Sequence, residues 1–382
     1  MAEDVHAFPL SELRKRKSVK WRFYPDDVLP LPVAEMDFPI AEQIKNALRD
    51  MIDRSDAGYL GPFPELFEAF ASFANDLWGW NPDKAQMRTA TDVGVGVVEV
   101  IRTLIKPGEK ALLNSPVYDN MWRWIAEVKA ELVDVPLSKN GLEYQLNLDA
   151  IERAYQQGVK VHLLCSPHNP VGILFDHATL SKLADLAKQY EVIVISDEIH
   201  APLTFPEAKF IPFLAVSDVA REVGVTVTSA SKSFNLAGLK CALIITENEK
   251  LKAKIDTMPL AVAYRASLFG AASATAAMAD SREWLSGALK TLNENRNFIR
   301  KLIDSKIPSI GYRVPNFGYL AWLDLEHLSL GDDPAKTLLE RGKLAVNGGV
   351  MYGPANPHFI RFNFGTSPEI ITEAFDRIVR SL

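Results

Sequence analysis

Short, continuous apolar runs recur along the middle of the chain, and longer amphipathic stretches separate them. The runs occupy residues 111–113, 161–165, 192–195, 225–228 and 242–245. A strand that is covered on both faces has this unbroken apolar pattern, whereas a strand with one wet face alternates apolar and polar residues. The pattern therefore predicts an α/β fold in which a mostly parallel sheet carries helices on both faces.

Amphipathic segments precede and follow these runs. A helix over 39–52 would place Ile40, Ile44, Leu48 and Ile52 on one face. Beyond residue 280 the pattern changes to a long helix over 282–304, a strand over 319–323 and a final helix over 367–380. We predict a large domain over 51–280 and a smaller α+β domain over 281–382, to which an N-terminal segment over 1–50 contributes.

Composition and charge narrow the class of protein. The net charge is −6, and the basic residues form no block beyond 14–17, so a nucleic-acid-binding surface is not favoured. No apolar run approaches the roughly 18 residues that span a bilayer, and no signal peptide is visible. Cys165 and Cys241 lie in or beside apolar runs without metal-ligand spacing. We expect a cytoplasmic protein without a metal site.

Polar side chains follow four of the predicted strands at the point where each strand ends. They are Tyr118, Asn169, Asp197 and the hydroxyl-rich stretch that leads to Lys232. Parallel strands end at one sheet edge, where open α/β sheets bind ligands. A lysine in such a pocket loses solvation, so its pKa falls and its amine becomes a nucleophile. The small-residue loop at 91–96 precedes a helix and predicts a phosphate site there.

Four motifs, taken in order, resemble one superfamily. They are Pro-Val-Tyr at 116–118, Ser-Pro-His-Asn-Pro-Val-Gly at 166–172, Ser-Asp-Glu-Ile-His at 196–200 and Ser-Ala-Ser-Lys at 229–232. Together they resemble the fold-type I pyridoxal-phosphate enzymes of the class I/II aminotransferase superfamily, over nearly the whole chain. The resemblance implies that Lys232 forms the Schiff base with the cofactor and then acts as the base at the substrate Cα. It also implies that Asp197 pairs with the pyridine nitrogen, Asn169 bonds the ring 3-oxygen and Tyr118 stacks on the ring.

The same resemblance also assigns residues to the cofactor phosphate, to the substrate and to a partner subunit. The cofactor phosphate would be held by Val93, Gly94, Ser229 and Lys240, where the family's aminotransferases usually carry arginine in place of Lys240. The substrate carboxylate would be held by Arg361, whose alternative is an arginine packed at a domain seam. Ala34 and Asn169 would also contact the substrate, and His200 would contact the cofactor. Tyr59 would reach the cofactor phosphate of a partner subunit in a homodimer, unless it packs in its own turn.

Further matches favour the cystathionine β-lyase-like C–S lyases within this superfamily. They are Ala-Glu-Met-Asp-Phe at 34–38, Gly-Tyr at 58–59, Asp-Glu-Ile-His at 197–200 and Lys-Ser-Phe-Asn-Leu-Ala-Gly at 232–238. Glu35, where that branch has aspartate, is a departure that bears on the substrate. The predicted reaction cleaves cystathionine or a cysteine S-conjugate to a thiol, pyruvate and ammonia. An aminotransferase, which would use the same residues, is the alternative. A non-catalytic regulator is disfavoured because no motif residue is degenerate.

Overall fold

A computed structural model of the chain describes residues 4–382. Its α-helices are α1 Leu10–Leu13, α2 Val19–Arg22, α3 Glu42–Asp53, α4 Pro64–Trp78, α5 Val93–Leu104, α6 Asp119–Glu127, α7 Leu148–Gln156, α8 His177–Gln189, α9 Asp218–Val223, α10 Glu249–Ile255, α11 Ala261–Tyr264, α12 Leu268–Asp280, α13 Arg282–Lys306, α14 Pro334–Gly342 and α15 Pro368–Ser381. Its strands are β1 Leu29–Pro30, β2 Met87–Ala90, β3 Lys110–Leu113, β4 Glu131–Asp134, β5 Ser138–Asn140, β6 Glu143–Gln145, β7 Val159–Cys165, β8 Ile193–Asp197, β9 Gly224–Thr228, β10 Ala242–Thr246, β11 Gly311–Tyr312, β12 Leu320–Asp324, β13 Leu344–Ala345, β14 Asn347–Gly348 and β15 Phe359–Asn363.

The predicted apolar runs form the centre of a seven-stranded sheet. The strand order is β2-β10-β9-β8-β7-β3-β4, and every neighbouring pair is parallel except the two that β10 makes. Successive strand residues enter opposite apolar cores: Leu112 and Leu164 lie on one face, and Leu113 and Leu163 on the other. Both faces are therefore buried, which is why these strands lack a polar alternation. The α/β prediction is confirmed.

A second, four-stranded antiparallel sheet has the order β11-β12-β15-β14 and packs with the C-terminal helices. The N-terminal segment joins this part of the chain, because β1 pairs in parallel with β13. The boundaries at residues 50 and 280 stay predictions, and residues 1–3 of the first segment lie outside the described residues. Within residues 4–382, no helix combines the length and apolarity that a bilayer crossing requires.

The helix predicted over 39–52 differs from α3 in two ways. It begins at Glu42, after Pro39 and Ile40. Its buried face includes Met51 in place of Ile52, which is 63% exposed. At about 100° per residue, Met51 lies within about 20° of Ile44 around the helix, whereas Ile52 lies about 80° away.

Candidate active site

The polar residues predicted at the strand ends surround a cavity of about 400 Å³. The cavity lies beyond the carboxyl ends of β7, β8 and β9 and beside the beginning of α5. Most of the residues singled out from sequence line it: Ala34, Val93, Gly94, Tyr118, Asn169, Asp197, His200, Lys232 and Lys240. Ser229, Arg361 and Tyr59 lie outside this lining.

Lys232 follows β9 and points to the N-terminal segment. Its Nζ donates a hydrogen bond to the carbonyl oxygen of Ala34 at 2.9 Å. Burial lowers the pKa of Lys232 to about 8, and the positive charge of Arg361 acts in the same direction. A neutral amine, which is the nucleophilic form of lysine, is thus accessible near neutral pH.

Asp197 ends β8 and is 5% exposed. Its Oδ1 accepts a hydrogen bond from the backbone N–H of Ile199 at 3.2 Å. Burial raises the pKa of Asp197 to about 7, against the opposing effects of that hydrogen bond and of the Lys232 charge. Among residues 4–382, no cation forms a direct ion pair with this carboxylate, which leaves it suited to a charged nitrogen of a ligand.

Arg361 lies on β15, directly behind Asn169. Its Nη1 donates to Asn169 Oδ1 at 3.3 Å and its Nη2 to the Pro32 carbonyl at 2.8 Å. The guanidinium carbon lies 5.1 Å from the ring centroid of Tyr352. Nε is buried and has no hydrogen-bond partner within the described part of the chain. This buried cation therefore retains donor capacity at Nε.

Tyr118 forms one wall together with two residues that sequence reasoning missed. Its hydroxyl accepts a hydrogen bond from Asn120 Nδ2 at 2.6 Å, and its ring meets Trp124 edge-on at a centroid distance of 5.8 Å. The indole also covers Gly94, where an added Cβ would lie 3.1 Å from Trp124. The signal in the sequence that could have identified this wall was Trp124 itself, which lies on α6 between one and two helical turns beyond Tyr118.

The beginning of α5 supplies the opposite end of the cavity. Asp92 caps this helix by accepting from the Val95 N–H at 2.9 Å. The same carboxylate forms an ion pair with Lys240 Nζ at 3.0 Å. The N–H groups of a first helical turn and a lysine are groups that attract an anion, and here the Asp92 carboxylate already pairs with the lysine.

Ser229 lies one layer below the cavity. Its hydroxyl donates to the Cys241 carbonyl at 2.6 Å and accepts from the Ser231 N–H at 3.1 Å. Ser231, which was not predicted, lines the cavity in its place. The hydrogen bond to the Cys241 carbonyl holds the Ser229 hydroxyl away from the cavity.

Tyr59 lies away from the cavity of its own chain. It is 79% exposed and stacks on Tyr264 at 5.1 Å between ring centroids. His200, in contrast, is 4% exposed and lines the cavity beside Phe317 and Tyr319. Burial lowers the pKa of His200 to about 3, with further lowering by the Lys232 and Arg361 charges. The imidazole is therefore neutral, and its Nδ1 has no partner among residues 4–382.

The segment that carries Ala34 is fixed on both sides. The Tyr319 hydroxyl donates to the Ala34 carbonyl at 3.1 Å, and Asn363 Nδ2 donates to the carbonyls of Val33 and Glu35 at 2.6 and 2.8 Å. Asn235, in a left-handed conformation with φ of 61°, adds hydrogen bonds to the backbone of residues 36–38. These contacts hold the Ala34 carbonyl against Lys232.

The fold and this lysine–carboxylate cavity define a cofactor-dependent enzyme of the α/β type. The chain belongs to the family of class I and II aminotransferases, whose profile matches residues 26–378. It is 37% identical to a candidate cystathionine beta-lyase of Mycobacterium tuberculosis, over 98% of this chain and 97% of the relative. It is 31% identical to a cystathionine beta-lyase of Corynebacterium glutamicum, over 98% of this chain and the full length of the relative.

A solved structure agrees with these sequence relatives. The chain superposes on a candidate PLP-dependent beta-cystathionase from Corynebacterium diphtheriae with a TM-score of 0.94 and 31% identity, covering 99% of this chain and 98% of that one. The predicted membership of the pyridoxal-phosphate superfamily and the predicted relationship to cystathionine β-lyases are confirmed.

Proposed function

We propose that this chain is a pyridoxal-phosphate-dependent C–S β-lyase that cleaves cystathionine or cysteine S-conjugates to a thiol, pyruvate and ammonia. The observation that carries the proposal is the amine of Lys232, which is half-buried and shares one cavity with the buried carboxylate of Asp197. Relatives named cystathionine beta-lyase, matched over almost the whole chain, support the reaction type.

The residues around the cavity fit the cofactor. Lys232 offers an amine of lowered pKa to its aldehyde, and Asp197 offers an unpaired buried carboxylate to its ring nitrogen. The N–H groups of Val93 and Gly94 and the ammonium of Lys240 would hold its phosphate. Tyr118 would cover the ring. When bound, pyridoxal phosphate supplies an acceptor for the electron pair that remains when a substrate Cα–H bond breaks.

The chain's own residues would then act on the substrate in a fixed order. Arg361 binds the substrate carboxylate, which places the Cα–H bond towards Lys232. Once the amino group of the substrate has replaced Lys232 at the aldehyde carbon, the freed neutral amine of Lys232 would take the Cα proton and hold it as an ammonium. The C–S bond breaks with its electron pair on sulfur, so a proton from the site or the solvent completes the thiol. Water then releases the remaining three-carbon unit as pyruvate and ammonia, which balances the reaction.

The test is incubation of the purified protein with L-cystathionine and pyridoxal phosphate, without a 2-oxo acid. We expect pyruvate and free thiol in equal amounts, no product with Lys232→Ala, and full activity with Lys182→Ala, an exposed lysine on α8. Amino transfer to 2-oxoglutarate without pyruvate release would instead identify an aminotransferase. A colourless protein with no affinity for pyridoxal phosphate would overturn both functions.

The proposal includes a homodimer in which Tyr59 contacts the cofactor phosphate of the partner subunit. An exposed groove supports it: Tyr59, Leu260 and Tyr264 are 79%, 82% and 55% exposed and line one surface cleft. A second copy would remove this apolar surface from water. Sedimentation should give a dimer mass, and Leu260→Asp should shift the protein to monomers with lower cofactor affinity. A wild-type monomer with full activity would contradict this arrangement.

We also infer a cytoplasmic location. Both cysteines are free and buried, which supports a fold that needs no oxidising compartment. Fractionation of cells that express the native gene should place the enzyme with the cytoplasmic markers. Recovery in a secreted or membrane fraction would contradict the inference.

A further inference from the structure

A second groove adjoins the catalytic cavity. It has a volume of about 430 Å³ and is bordered by Ser18, Glu35 and Asn235. Ala237 lines both spaces, and the peptide between Ala34 and Glu35 separates them, with Ala34 on the catalytic side. A substrate that extends past Ala237 would therefore enter this groove.

Glu35 presents a carboxylate without a cation. Its Oε1 accepts a hydrogen bond from the Ser18 hydroxyl at 2.6 Å, and its backbone carbonyl is held by Lys20 and Asn363. In the part of the chain that the structure describes, no ion pair engages this half-buried carboxylate. Its charge reaches the catalytic cavity, since it opposes the lowering of the Lys232 pKa. An ammonium group would find a prepared acceptor here.

The cationic side chains of the groove differ in whether they already have hydrogen-bond or ion-pair partners. The Arg16 guanidinium donates to the carbonyls of residues 36–38, and Lys45 pairs with Glu42 at 2.6 Å. Lys17 is exposed and, within residues 4–382, makes no hydrogen bond or ion pair through its ammonium. The groove thus offers one carboxylate and one uncommitted ammonium, which is the pattern that a zwitterion needs.

We infer that this groove binds the distal amino-acid head of a two-headed thioether, with Glu35 receiving the distal ammonium and Lys17 the distal carboxylate. The inference rests on the proposed lyase function and names the residues that would recognise the distal end of its cystathionine-type substrate. Cysteine S-conjugates whose leaving thiol is itself an amino acid would then bind through both distal charges. A simple alkyl conjugate would leave both charges without a partner.

Three substrates that differ by one group each test the assignment. L-cystathionine carries both distal charges, S-(3-carboxypropyl)-L-cysteine lacks the distal ammonium, and S-propyl-L-cysteine lacks both. Glu35→Gln should lower kcat/KM for cystathionine about tenfold and leave the other two within about twofold. Lys17→Gln should lower kcat/KM about threefold for the two substrates that carry a distal carboxylate and leave kcat/KM for the propyl conjugate unchanged. Glu12→Gln and Lys15→Gln, which change an exposed pair outside the groove, are the matched controls.

Equal losses on all three substrates with Glu35→Gln, together with a shifted pH profile, would overturn the inference, because Glu35 would then act through Lys232. Binding provides a readout that does not need turnover. Calorimetric titration of the pyridoxal-phosphate-loaded Lys232→Ala protein should show tighter binding of cystathionine than of the carboxypropyl conjugate, and Glu35→Gln should abolish that difference. No such difference would refute the groove assignment. If the difference is present but the wild-type enzyme forms no pyruvate, the proposed lyase function fails and the groove assignment stands.

Discussion

The buried ion pair behind the Ala34 segment gives the most direct test of how the site is held. Lys20 Nζ and Asp37 Oδ1 are 2.9 Å apart, and both side chains are 0% exposed. The Trp21 indole donates to the same carboxylate oxygen at 3.0 Å, and Arg16 Nη1 lies 3.9 Å from it. We consider Asp37→Asn, which keeps the shape and an acceptor for Trp21, removes the charge and places an amide NH2 where Oδ2 is buried without a partner.

The expected change in the free energy of unfolding follows from the geometry of the Lys20–Asp37 pair. At 2.9 Å and an effective dielectric constant of about 20, the attraction of the pair is about 6 kcal/mol. Part of it offsets the desolvation of the two charges, and removal of one partner from a buried pair typically costs about 3–5 kcal/mol because the other charge stays buried. We expect Asp37→Asn to lower the free energy of unfolding by about 4 kcal/mol. Backbone carbonyls of residues 35–38 would lose their alignment, and with them the Ala34 carbonyl that Lys232 contacts.

Urea denaturation monitored by tryptophan fluorescence measures this change. The control is Glu42→Gln, which removes the exposed partner of Lys45 and should leave the free energy of unfolding nearly unchanged. The double variant Lys20→Met with Asp37→Leu removes both charges and should recover most of the lost stability. A cost below about 1 kcal/mol for Asp37→Asn, or a double variant as unstable as the single one, would refute the reasoning.

Three further predictions concern the cavity. In the apoprotein, the folded-state pKa of Lys232 (about 8) lies below its unfolded value of 10.5. The unfolded state therefore binds more protons between pH 8 and 10.5, so the stability of the wild type should rise by about 3 kcal/mol relative to Lys232→Met over this range. Urea titrations measure the stability difference between the two proteins, and a difference that does not change with pH would contradict the lowered pKa. Arg361→Lys, which keeps the charge but loses the planar fork, should raise KM at least about tenfold in steady-state assays, and an unchanged KM would exclude carboxylate binding. Asp197→Asn should lower kcat about 100-fold at saturating cofactor, and near-wild-type turnover would remove Asp197 from catalysis.

The central sheet was predictable because both of its faces are buried. Strands such as β8 and β9 consist almost wholly of buried residues, so they appear in the sequence as continuous apolar runs followed abruptly by polar residues. The edge strands β2 and β4 were not predicted. Arg88 and Glu131 interrupt their apolar character because an edge strand has partly exposed positions.

Contacts that depend on the approach of distant segments could not be predicted. The sequence identified Lys232 and the Ala34 motif separately, but nothing in either stretch indicates that Nζ meets that carbonyl across 198 positions. Tyr319 and Trp124 were missed for the same reason, since aromatic residues in strands and helices are usually core. Ser229 was predicted from its motif, and only the turn after β9 determines that Ser231 lines the cavity instead.

Burial explains why this cavity suits an aldehyde cofactor with a basic ring nitrogen. Desolvation is the largest cause of the raised pKa of Asp197 and of the lowered pKa of Lys232. With a pKa of about 8, about one tenth of the Lys232 side chains carry a neutral amine at pH 7. For a lysine with the ordinary pKa of 10.5, the neutral fraction at the same pH is about one in three thousand. A pyridinium beside Asp197 would favour its carboxylate form. The same burial that costs stability in the apoprotein therefore prepares both groups for the cofactor: the amine becomes reactive, and the carboxylate becomes a strong partner for a positive charge.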